Sequence, residues 1–426
     1  MGAEAIFMSD FDFAAAQRRY VDLLVSQGCN VQPGQHVLIN TEPSCLELVA
    51  LAAEAFYRRG ARYVDYHVSL PRVDRAHVEL ASPNRLTFVP GWRAVQMDQL
   101  VDAQGCMLAF RSQDEPDLYD GFDAAGMQRV NEMTVARREA VRRWTEEGVL
   151  QRQVGWCLAG PPSPKWASKV YPELPPAEAV QALWREIFRM TFADQENCQQ
   201  LWAAHLDRLA RRSELLNAMA VRELHFVNEA MGTDLRVRLS PLARWVSGRK
   251  ETAAGIEVCL NIPTFEVFTT PDWRGTTGTV GLTRPAMING SLVEGLRLRF
   301  EQGEIVEVSA TRNAGAYEAL IATDPTARRL GEVALVGVDS PIFQSGRVFQ
   351  HTLYDENAAC HIATGMAYTV GIEDGDQLPP DRLDEIGFNR KAKTHQDVMI
   401  SDETTTVKAD GKTILEAGRW VGELAG

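Results

Sequence analysis

Helix and strand patterns alternate along the first 190 residues, and this alternation restricts the possible folds more than any other feature of the chain. The amphipathic stretch FAAAQRRYVDLLVSQG precedes the strand pattern PGQHVLIN, and the helical CLELVALAAEAFYRRG precedes the strand pattern ARYVDYHV. Two later apolar segments, QGCMLAF and QVGWCLAG, predict short buried strands separated by helices. Because apolar strands joined by helices are typical of parallel sheets, we predict an α/β domain with a mainly parallel sheet.

The pattern changes after a proline-rich connector at residues 163–185, which leads into helix as far as about Met219. ELHFVNEAMGTDLRVRL then predicts a β-hairpin with Gly232 at its turn, and LRLRFEQGEIVEVSA predicts a second hairpin. Few helical patterns remain beyond this point. We therefore predict two domains, an α/β domain at residues 1–190 and an α+β domain at residues 191–426 that is rich in antiparallel strands.

Charge and cysteine content restrict the partners and the compartment. A net charge of −13 argues against a nucleic-acid or anionic-membrane surface, because both require a positive field. No apolar run is long enough to span a bilayer, and the start MGAEAIFMSD lacks the basic and apolar regions of a signal peptide. The seven cysteines are scattered and contain no CxxC pair, which is typical of reduced thiols. We expect a cytoplasmic protein that binds neither nucleic acid nor membrane.

The sequence signatures of several common enzyme classes are missing from this chain, including GxGxxG, GxSxG, HExxH and the phosphate-binding loop. The candidate catalytic or binding residues are therefore isolated polar residues in apolar surroundings. Glu266 in NIPTFEVFTTP and Glu332 in RLGEVALVGV both enter apolar segments. A buried carboxylate requires a partner, a proton or a cation. Taken singly, however, each is better explained as a surface or salt-bridged glutamate.

The segment LYDENAACHIATGMAY combines acidic residues with a histidine in an apolar stretch. We predict a helix from about Asn357, which places His361 and Tyr368 on one face, roughly 10 Å apart along the axis. Glu356 at the helix entry could turn toward the same pocket. For this segment alone, a core histidine and a capping acid are the simpler interpretation.

A histidine and an aspartate alternate in THQDVMI, where His395 and Asp397 would share one side of a strand. This motif is weak by itself. Together with the other carboxylates and His361, however, it makes an oxygen-rich set with two imidazoles, which suits two adjacent Zn²⁺, Co²⁺ or Mn²⁺ ions. Such a pair lowers the pKa of a shared water, and Tyr368 is the candidate donor to the oxyanion formed when that water attacks a carbonyl.

Five segments, taken in order, resemble the aminopeptidase T family of dinuclear metallopeptidases, which includes aminopeptidase S and PepS. They are GTDLRVRL, NIPTFEVFTTP, LGEVAL, LYDENAACHIATGMAY and HQDVMI, and the N-terminal half is similar through NVQPGQHVLIN, AFYRRGARYV and SPKWASKVYPE. The resemblance covers nearly the whole chain. It implies a homodimeric, cytosolic exopeptidase that removes N-terminal residues from short peptides and holds two divalent metal ions, Zn, Co or Mn, in each subunit.

The same resemblance assigns roles to individual positions in the second domain. The metal ligands it implies are Glu266, Glu332, Glu356, His361, His395 and Asp397. Glu332 would also act in catalysis as the carboxylate that bridges the two ions, and Tyr368 would assist catalysis. The chain departs from the family at Phe265, because PTFEVF replaces the usual PTEEVF. We therefore expect an aromatic face near the ammonium group of the substrate and an altered substrate preference.

Three alternatives to a peptidase remain open from the sequence. The substrate could be a non-peptide small amide. His361, His395 and Asp397 alone would form the two-histidine, one-carboxylate triad of an iron-dependent ring-opening dioxygenase. A homologue that keeps the fold and the dimer without catalysis is the third. Metal stoichiometry separates the enzymes, because the dioxygenase needs one iron and oxygen, whereas hydrolysis needs two ions.

Overall fold

The structure is a computed structural model, and it describes residues 11–288 and 291–426. The start MGAEAIFMSD, on which the expectation of no signal peptide depends, lies outside these ranges. Within them, no helix has both the length and the apolar character needed to cross a lipid bilayer.

The strands are short in both halves of the chain. In chain order they are β1 His36–Thr41, β2 Tyr63–Val68, β3 Cys106–Phe110, β4 Gly155–Ala159, β5 Glu223–Asn228, β6 Thr233–Arg238, β7 Arg249–Glu251, β8 Glu257–Cys259, β9 Asn261–Ile262, β10 Val267–Thr269, β11 Thr277–Gly281, β12 Ala286–Ile288, β13 Ser291–Val293, β14 Arg297–Glu301, β15 Glu304–Ser309, β16 Leu330–Leu335, β17 His361–Gly365, β18 His395–Met399, β19 Thr406–Ala409, β20 Lys412–Glu416 and β21 Arg419–Trp420.

The longer helices lie almost entirely in the first half of the chain. The α-helices are α1 Phe13–Leu23, α2 Leu46–Arg58, α3 Pro71–Leu80, α4 Pro83–Leu86, α5 Gly91–Asp102, α6 Ala124–Ala140, α7 Pro164–Val170, α8 Pro176–Met190, α9 Cys198–Ala218, α10 Ala314–Ile321, α11 Pro341–Gln344, α12 Thr352–Asp355 and α13 Pro380–Glu385.

The N-terminal sheet has the order β2-β1-β3-β4-β9, and every pair in it is parallel. All five residues of β3 are buried, because helices cover the faces of the sheet. This confirms the predicted α/β class. The edge strand β9 comes from residues 261–262, so a short piece of the second half completes the first sheet. The domain boundary after residue 190 stays a prediction, and it falls between α8 and α9.

The second half is built from antiparallel sheets, as predicted. An eight-stranded sheet has the order β15-β14-β11-β6-β5-β19-β20-β21, and a four-stranded sheet has the order β10-β16-β17-β18. Both predicted hairpins are present within the larger sheet, as β5–β6 and β14–β15. Gly232 lies at the first turn with a φ of +66°, a backbone conformation that glycine adopts without strain.

The connector joins the two halves through buried aromatic side chains. Ser163 caps α7 by accepting a hydrogen bond from the backbone N–H of Trp166, and Pro164 occupies the first helical turn, where its missing N–H costs nothing. The Trp166 indole Nε1 donates to the carbonyl oxygen of Phe349, 2.6 Å away. Trp166 also packs on Tyr354, with 5.4 Å between the ring centroids. The connector is therefore fixed to the segment that leads into β17.

Candidate metal centre

The four-stranded sheet places polar residues from neighbouring strands on one face. Ala363 of β17 pairs with Glu332 of β16 on one side and with Asp397 of β18 on the other. Directly opposed residues in antiparallel strands project from the same face of a sheet. Glu332 and Asp397 therefore flank Ala363, whose methyl group leaves open the space between the two carboxylates.

The two histidines project from this same face. His361 and Gly365 lie two residues to either side of Ala363 on β17, and His395 pairs with Gly365. The sequence prediction that His395 and Asp397 share one side of a strand is confirmed by β18. Gly365 has a φ of +105°, and a Cβ there would collide with the Thr394 carbonyl group, so glycine is needed for the backbone of β18 to approach this closely.

Glu266 reaches the site from just before β10. Phe268 pairs with Ala334, which in turn pairs with His361, so Phe268 lies on the functional face. Glu266 precedes Phe268 by two residues and lines the same cavity. The Asn357 side chain fixes this loop by accepting a hydrogen bond from the Phe265 backbone N–H at 2.6 Å.

The predicted helix from Asn357 is wrong. The chain makes one α-helical turn at Thr352–Asp355 and a 3₁₀ turn at Glu356–Ala358, and it then becomes extended at Ala359, before the strand His361–Gly365. His361 and Tyr368 consequently do not share a helix face. The reason is tertiary, because β17 forms ladders with both β16 and β18, and this pairing overrides the local helical pattern.

The acids before His361 have separate roles. The Asp355 carboxylate accepts backbone hydrogen bonds from Phe349 at 2.8 Å and from His351 at 3.1 Å, so it holds the turn together. Burial raises the pKa of Asp355 to about 6. Glu356 instead lines the cavity with Glu266 and Asp397, and burial followed by repulsion from these carboxylates raises its pKa well above the usual range.

Glu332 lies between the two histidines. Its Oε1 is 3.7 Å from His361 Nε2, and its Oε2 is 4.0 Å from His395 Nε2. One ligand atom each from Glu266, Glu332 and His361 lie within 4.8 Å of one another, which is close enough to hold a common ion. A carboxylate that directs one oxygen toward each imidazole has the arrangement expected of a group shared by two cations.

Backbone carbonyl groups orient both imidazoles. His361 Nδ1 is 3.3 Å from the carbonyl oxygen of Ala359, and His395 Nδ1 is 2.7 Å from that of Met366. Each Nδ1 must carry a proton to donate to a carbonyl, so each Nε2 is the atom available to bind a cation, and both Nε2 atoms face the carboxylates. A Cβ on Gly331 would lie 2.4 Å from the Met366 carbonyl oxygen, so glycine is needed there for this acceptor to approach β16.

The site contains a buried oxygen atom without a hydrogen-bond partner among the described residues. Glu266 Oε2 lies 3.1 Å from His361 Nε2, but the two atoms are not aligned as a hydrogen bond, and no other described group donates to this oxygen. A buried carboxylate oxygen without a hydrogen-bond partner, so close to an imidazole nitrogen, is the expected result when both atoms converge on a cation. The donor set therefore fits divalent metal ions.

The electrostatics of the site follow from burial and mutual contact. Burial by itself lowers the pKa values of both histidines, but the carboxylates reverse the effect. The nearby Asp397 raises the pKa of His395 to about 9, and Glu266 and Glu332 raise that of His361 well above its usual value. Burial raises the pKa of Glu332, whereas His395 lowers that of Asp397 against the opposing effect of burial.

Tyr368 lies beyond the end of β17, at the wall of the same cavity. Its ring packs against the His395 imidazole, with 4.7 Å between centroids. Burial, followed by the nearby Glu332 carboxylate, raises the pKa of the Tyr368 hydroxyl, so this group keeps its proton near neutral pH. The structure therefore brings all seven sequence-predicted site residues to one cavity, although their functional roles stay predictions.

The cavity has a volume of about 460 Å³, and both halves of the chain contribute to its wall. Val149, Val154 and Trp156 come from the first half, and Phe268 comes from the second. Lys250 also lines the cavity, and the sequence analysis missed it. A lysine between charged neighbours in SGRKETA carries no sign of burial, since only the fold directs it inward.

Phe265 does not present an aromatic face to the cavity, so that expectation is wrong. Its ring packs 4.6 Å from the His205 ring and 6.5 Å from that of Trp202, on the opposite side of the loop from Glu266. It is only 8% exposed. The alternation of side chains along an extended segment sends Phe265 into the core when Glu266 faces the cavity. Phe268 supplies the aromatic surface instead.

An antiparallel sheet that collects carboxylates and imidazoles in one buried cavity is typical of a metalloenzyme. The profile of the family described as "Thermophilic metalloprotease (M29)" matches residues 13–420. The chain therefore belongs to this family of metallopeptidases, and the resemblance inferred from the sequence motifs is confirmed.

Named relatives cover almost the full chain. Aminopeptidase 2 of Geobacillus stearothermophilus is 35% identical over 412 residues, which are 96% of this chain and 98% of the relative. Aminopeptidase T of Thermus aquaticus is 34% identical over 414 residues, 96% of this chain and 99% of the relative. The solved structure of wild-type AmpT from Thermus thermophilus matches with a TM-score of 0.88 at 34% identity and covers 96% of this chain and 100% of its own.

We expect Phe265→Ala to affect stability rather than substrate binding. Losing this buried ring should reduce the free energy of unfolding by about 3–5 kcal/mol. Phe268→Ala is the matched control, because it removes the same ring from the cavity wall and should raise KM with a smaller loss of stability. Denaturant unfolding and steady-state kinetics of both variants provide the measurements. A KM increase in Phe265→Ala as large as that in Phe268→Ala would contradict this assignment.

We expect metal affinity to increase with pH up to about 9. Below the raised pKa of His395, which is about 9, its imidazole is protonated in the metal-free protein, and the ion must displace that proton. The apparent dissociation constant should therefore fall by about tenfold per pH unit for each proton displaced. Chelator competition with Zn²⁺ between pH 6 and 9 measures the slope, and calorimetry in two buffers counts the protons. Affinity that is independent of pH over this range would contradict the expectation.

Proposed function

We propose that this chain is a cytoplasmic, homodimeric aminopeptidase that uses two divalent metal ions to remove N-terminal residues from short peptides. The observation that carries the proposal is the position of Glu332, with one carboxylate oxygen directed toward each of two imidazoles. Membership of a metalloprotease family supports hydrolysis, and the names of the relatives support an aminopeptidase. The seven buried free cysteines are compatible with a reducing cytoplasm.

The side chains divide into two groups of ligands around Glu332. Glu266 and His361 would hold one ion, His395 and Asp397 the other, and Glu332 would contact both. Glu356 lines the cavity beside these groups and completes the proposed set. When bound, the ions would supply a water molecule that is nucleophilic near neutral pH and would polarise the scissile carbonyl.

Tyr368 is the proposed donor to the developing oxyanion. Its hydroxyl stays protonated near neutral pH because burial raises its pKa, and packing against His395 keeps it beside the ligand set. A preorganised hydroxyl of this kind stabilises negative charge at the carbonyl oxygen without reorganisation during the reaction. The apolar wall, which includes Val154 and Trp156, excludes water and accommodates apolar parts of the substrate.

Glu266 and Glu332 favour this proposal over the iron dioxygenase. A single iron needs only the triad of His361, His395 and Asp397, and it leaves the close approach of Glu266 to His361 at 3.1 Å without a purpose. The only sequence feature in favour of the non-catalytic alternative is the departure at Phe265, and this residue packs in the core and leaves the proposed ligand set intact. Hydrolysis of a non-peptide amide is tested directly by including such amides among the substrates.

The direct test supplies the purified protein with Zn²⁺, Co²⁺ or Mn²⁺ and measures hydrolysis of dipeptides, aminoacyl amides and their N-acetylated forms. An aminopeptidase should cleave the free-amine peptides and not the acetylated ones. Metal analysis should give two ions per chain. Inactivity in all three metals, or oxygen consumption with one bound iron, would reject the proposal.

Two substitutions separate metal binding from catalysis. Glu332→Gln should abolish turnover and reduce the metal content below two ions per chain, because it removes the shared carboxylate. Tyr368→Phe should keep both ions and lower kcat by about 10²- to 10³-fold, the usual cost of one oxyanion donor. Kinetics and metal analysis of the same preparations provide the measurements. Full activity in Tyr368→Phe would remove this residue from the mechanism.

Exposed apolar side chains support the homodimer. Nine large ones lie between residues 57 and 95, two of them on the edge strand β2 and the others in the segments around it in the sequence: Tyr57, Tyr63, Tyr66, Leu70, Val73, Leu80, Phe88, Trp92 and Val95. An apolar surface of this kind next to a strand edge is typical of a protein interface. A second copy of the chain is the proposed partner.

Light scattering should give twice the chain mass of 47.3 kDa. Tyr66→Asp combined with Trp92→Asp should yield monomers, because charges at both positions would be buried in the interface. Val306→Asp on β15 is the control, since Val306 is also exposed but lies outside this segment. A monomeric wild type, or a double variant that remains dimeric, would contradict the proposed interface.

A further inference from the structure

Lys250 occupies an unusual position for a charged side chain. It lies in the middle of β7, where it pairs with Val258 of β8, and its side chain enters the metal cavity. The Nζ atom is 4.6 Å from the centroid of the Phe268 ring. Phe268 follows Glu266 by two residues on the functional face, so the ammonium group lies beside the proposed ligands without belonging to them.

The ammonium group of Lys250 has no polar partner. Its Nζ is buried, and within residues 11–288 and 291–426 it forms no ion pair and donates no hydrogen bond. Arg152, which lines the same cavity, forms an ion pair with Asp376 at 3.1 Å. A buried ammonium without a partner is unfavourable, and the face of Phe268 compensates for this only in part. Lys250 therefore requires an anionic or polar ligand that enters the cavity.

The charge of the cavity defines that ligand. Two divalent ions would balance the carboxylates of Glu266, Glu332, Glu356 and Asp397, so these carboxylates would no longer favour the charged form of Lys250. Burial lowers the pKa of Lys250 to about 7, although Glu266 and Glu332 raise it, and an anion that enters the cavity would therefore favour the protonated amine. A short peptide is a zwitterion whose terminal carboxylate needs a cation when it leaves water. The buried amine of Lys250 needs an anionic partner, and the terminal carboxylate of a peptide needs a cationic one, so each can satisfy the other.

Lys250 also lies where a peptide would leave the metal centre. It lines both the metal cavity and a neighbouring groove of about 480 Å³, which also contacts Ser247 and Thr369. A substrate whose amino-terminal residue occupies the metal cavity would pass Lys250 as its chain extends into the groove. Lys250 lies outside the proposed ligand set, and this position favours contact with the carboxyl end of the substrate rather than with the scissile carbonyl.

We propose that Lys250 binds the C-terminal carboxylate of a short peptide substrate and makes the enzyme prefer peptides with a free carboxylate. This inference rests on the proposed peptidase function and goes beyond it by assigning the group that recognises the far end of the substrate. The contact is an N–H···O hydrogen bond between opposite charges in a partly dry cavity, which makes it stronger than a neutral hydrogen bond.

The kinetic test compares leucyl-leucine with leucyl-leucinamide in the wild type, Lys250→Met and Lys250→Arg. The methionine keeps the packing on Phe268 and removes the charge, so kcat/KM for leucyl-leucine should fall by about 10- to 100-fold, mainly through KM. The value for the amide should change by less than about twofold, the level expected when no hydrogen bond is lost. Lys250→Arg should keep most of the preference for the carboxylate. Lys412→Met, at an exposed position on β20, is the control and should behave as the wild type.

A binding measurement makes the test independent of turnover. Calorimetry of the metal-loaded proteins uses leucyl-leucine with its peptide bond reduced to CH₂–NH, together with the corresponding amide. The wild type should bind the carboxylate form more tightly, and the difference should disappear in Lys250→Met with metal content and melting temperature unchanged. Equal binding of the two ligands by the wild type, a difference that persists in Lys250→Met, or equal loss of activity on peptide and amide would overturn the proposal. Failure of the peptidase function itself would show separately, as no cleavage by the metal-loaded wild type.

Discussion

The concentration of negative charge on one face of the four-stranded sheet is the constraint on which the rest of this structure depends. Glu266, Glu332, Glu356 and Asp397 converge in one cavity with only two imidazoles among them. Carboxylates in a poorly solvated space repel one another and lose hydration, so they need cations or protons to remain there. Burial and this crowding of carboxylates raise the pKa values of Glu332 and Glu356, and the carboxylates raise those of His361 and His395 against the effect of burial.

The backbone around these carboxylates fixes the positions of the two imidazoles. Ala363 on β17 leaves space between the carboxylates that flank it, and the backbone carbonyls of Ala359 and Met366 orient the imidazoles. Neither carbonyl depends on a rotatable side chain, so the imidazole positions are set by the backbone itself. The N-terminal half contributes the apolar wall through Val149, Val154 and Trp156. A substrate bound in the cavity would therefore contact both halves of the chain.

Predictions from sequence succeeded where a local pattern and its tertiary setting agreed. The apolar segments of the first half became parallel strands, and both hairpins formed because alternation and turn glycines specify them locally. The segment around His361 failed for the opposite reason. Its small residues permit a helix or a strand, and the choice depended on pairing with β16 and β18, which the segment itself does not encode.

Sequence by itself determined the fold class and the family, and it pointed to seven polar residues that all line one cavity, because those properties are carried by short patterns and by residue identity. Only the tertiary structure decided which side chains face the cavity. Phe265 and Glu266 are neighbours, yet one packs on His205 and the other faces His361. Lys250 has no distinguishing motif, and yet its Nζ is buried at the cavity wall without a hydrogen-bond partner among the described residues. The physical reason is that the direction of a side chain depends on strand register and packing between segments far apart in the chain, which no local pattern contains.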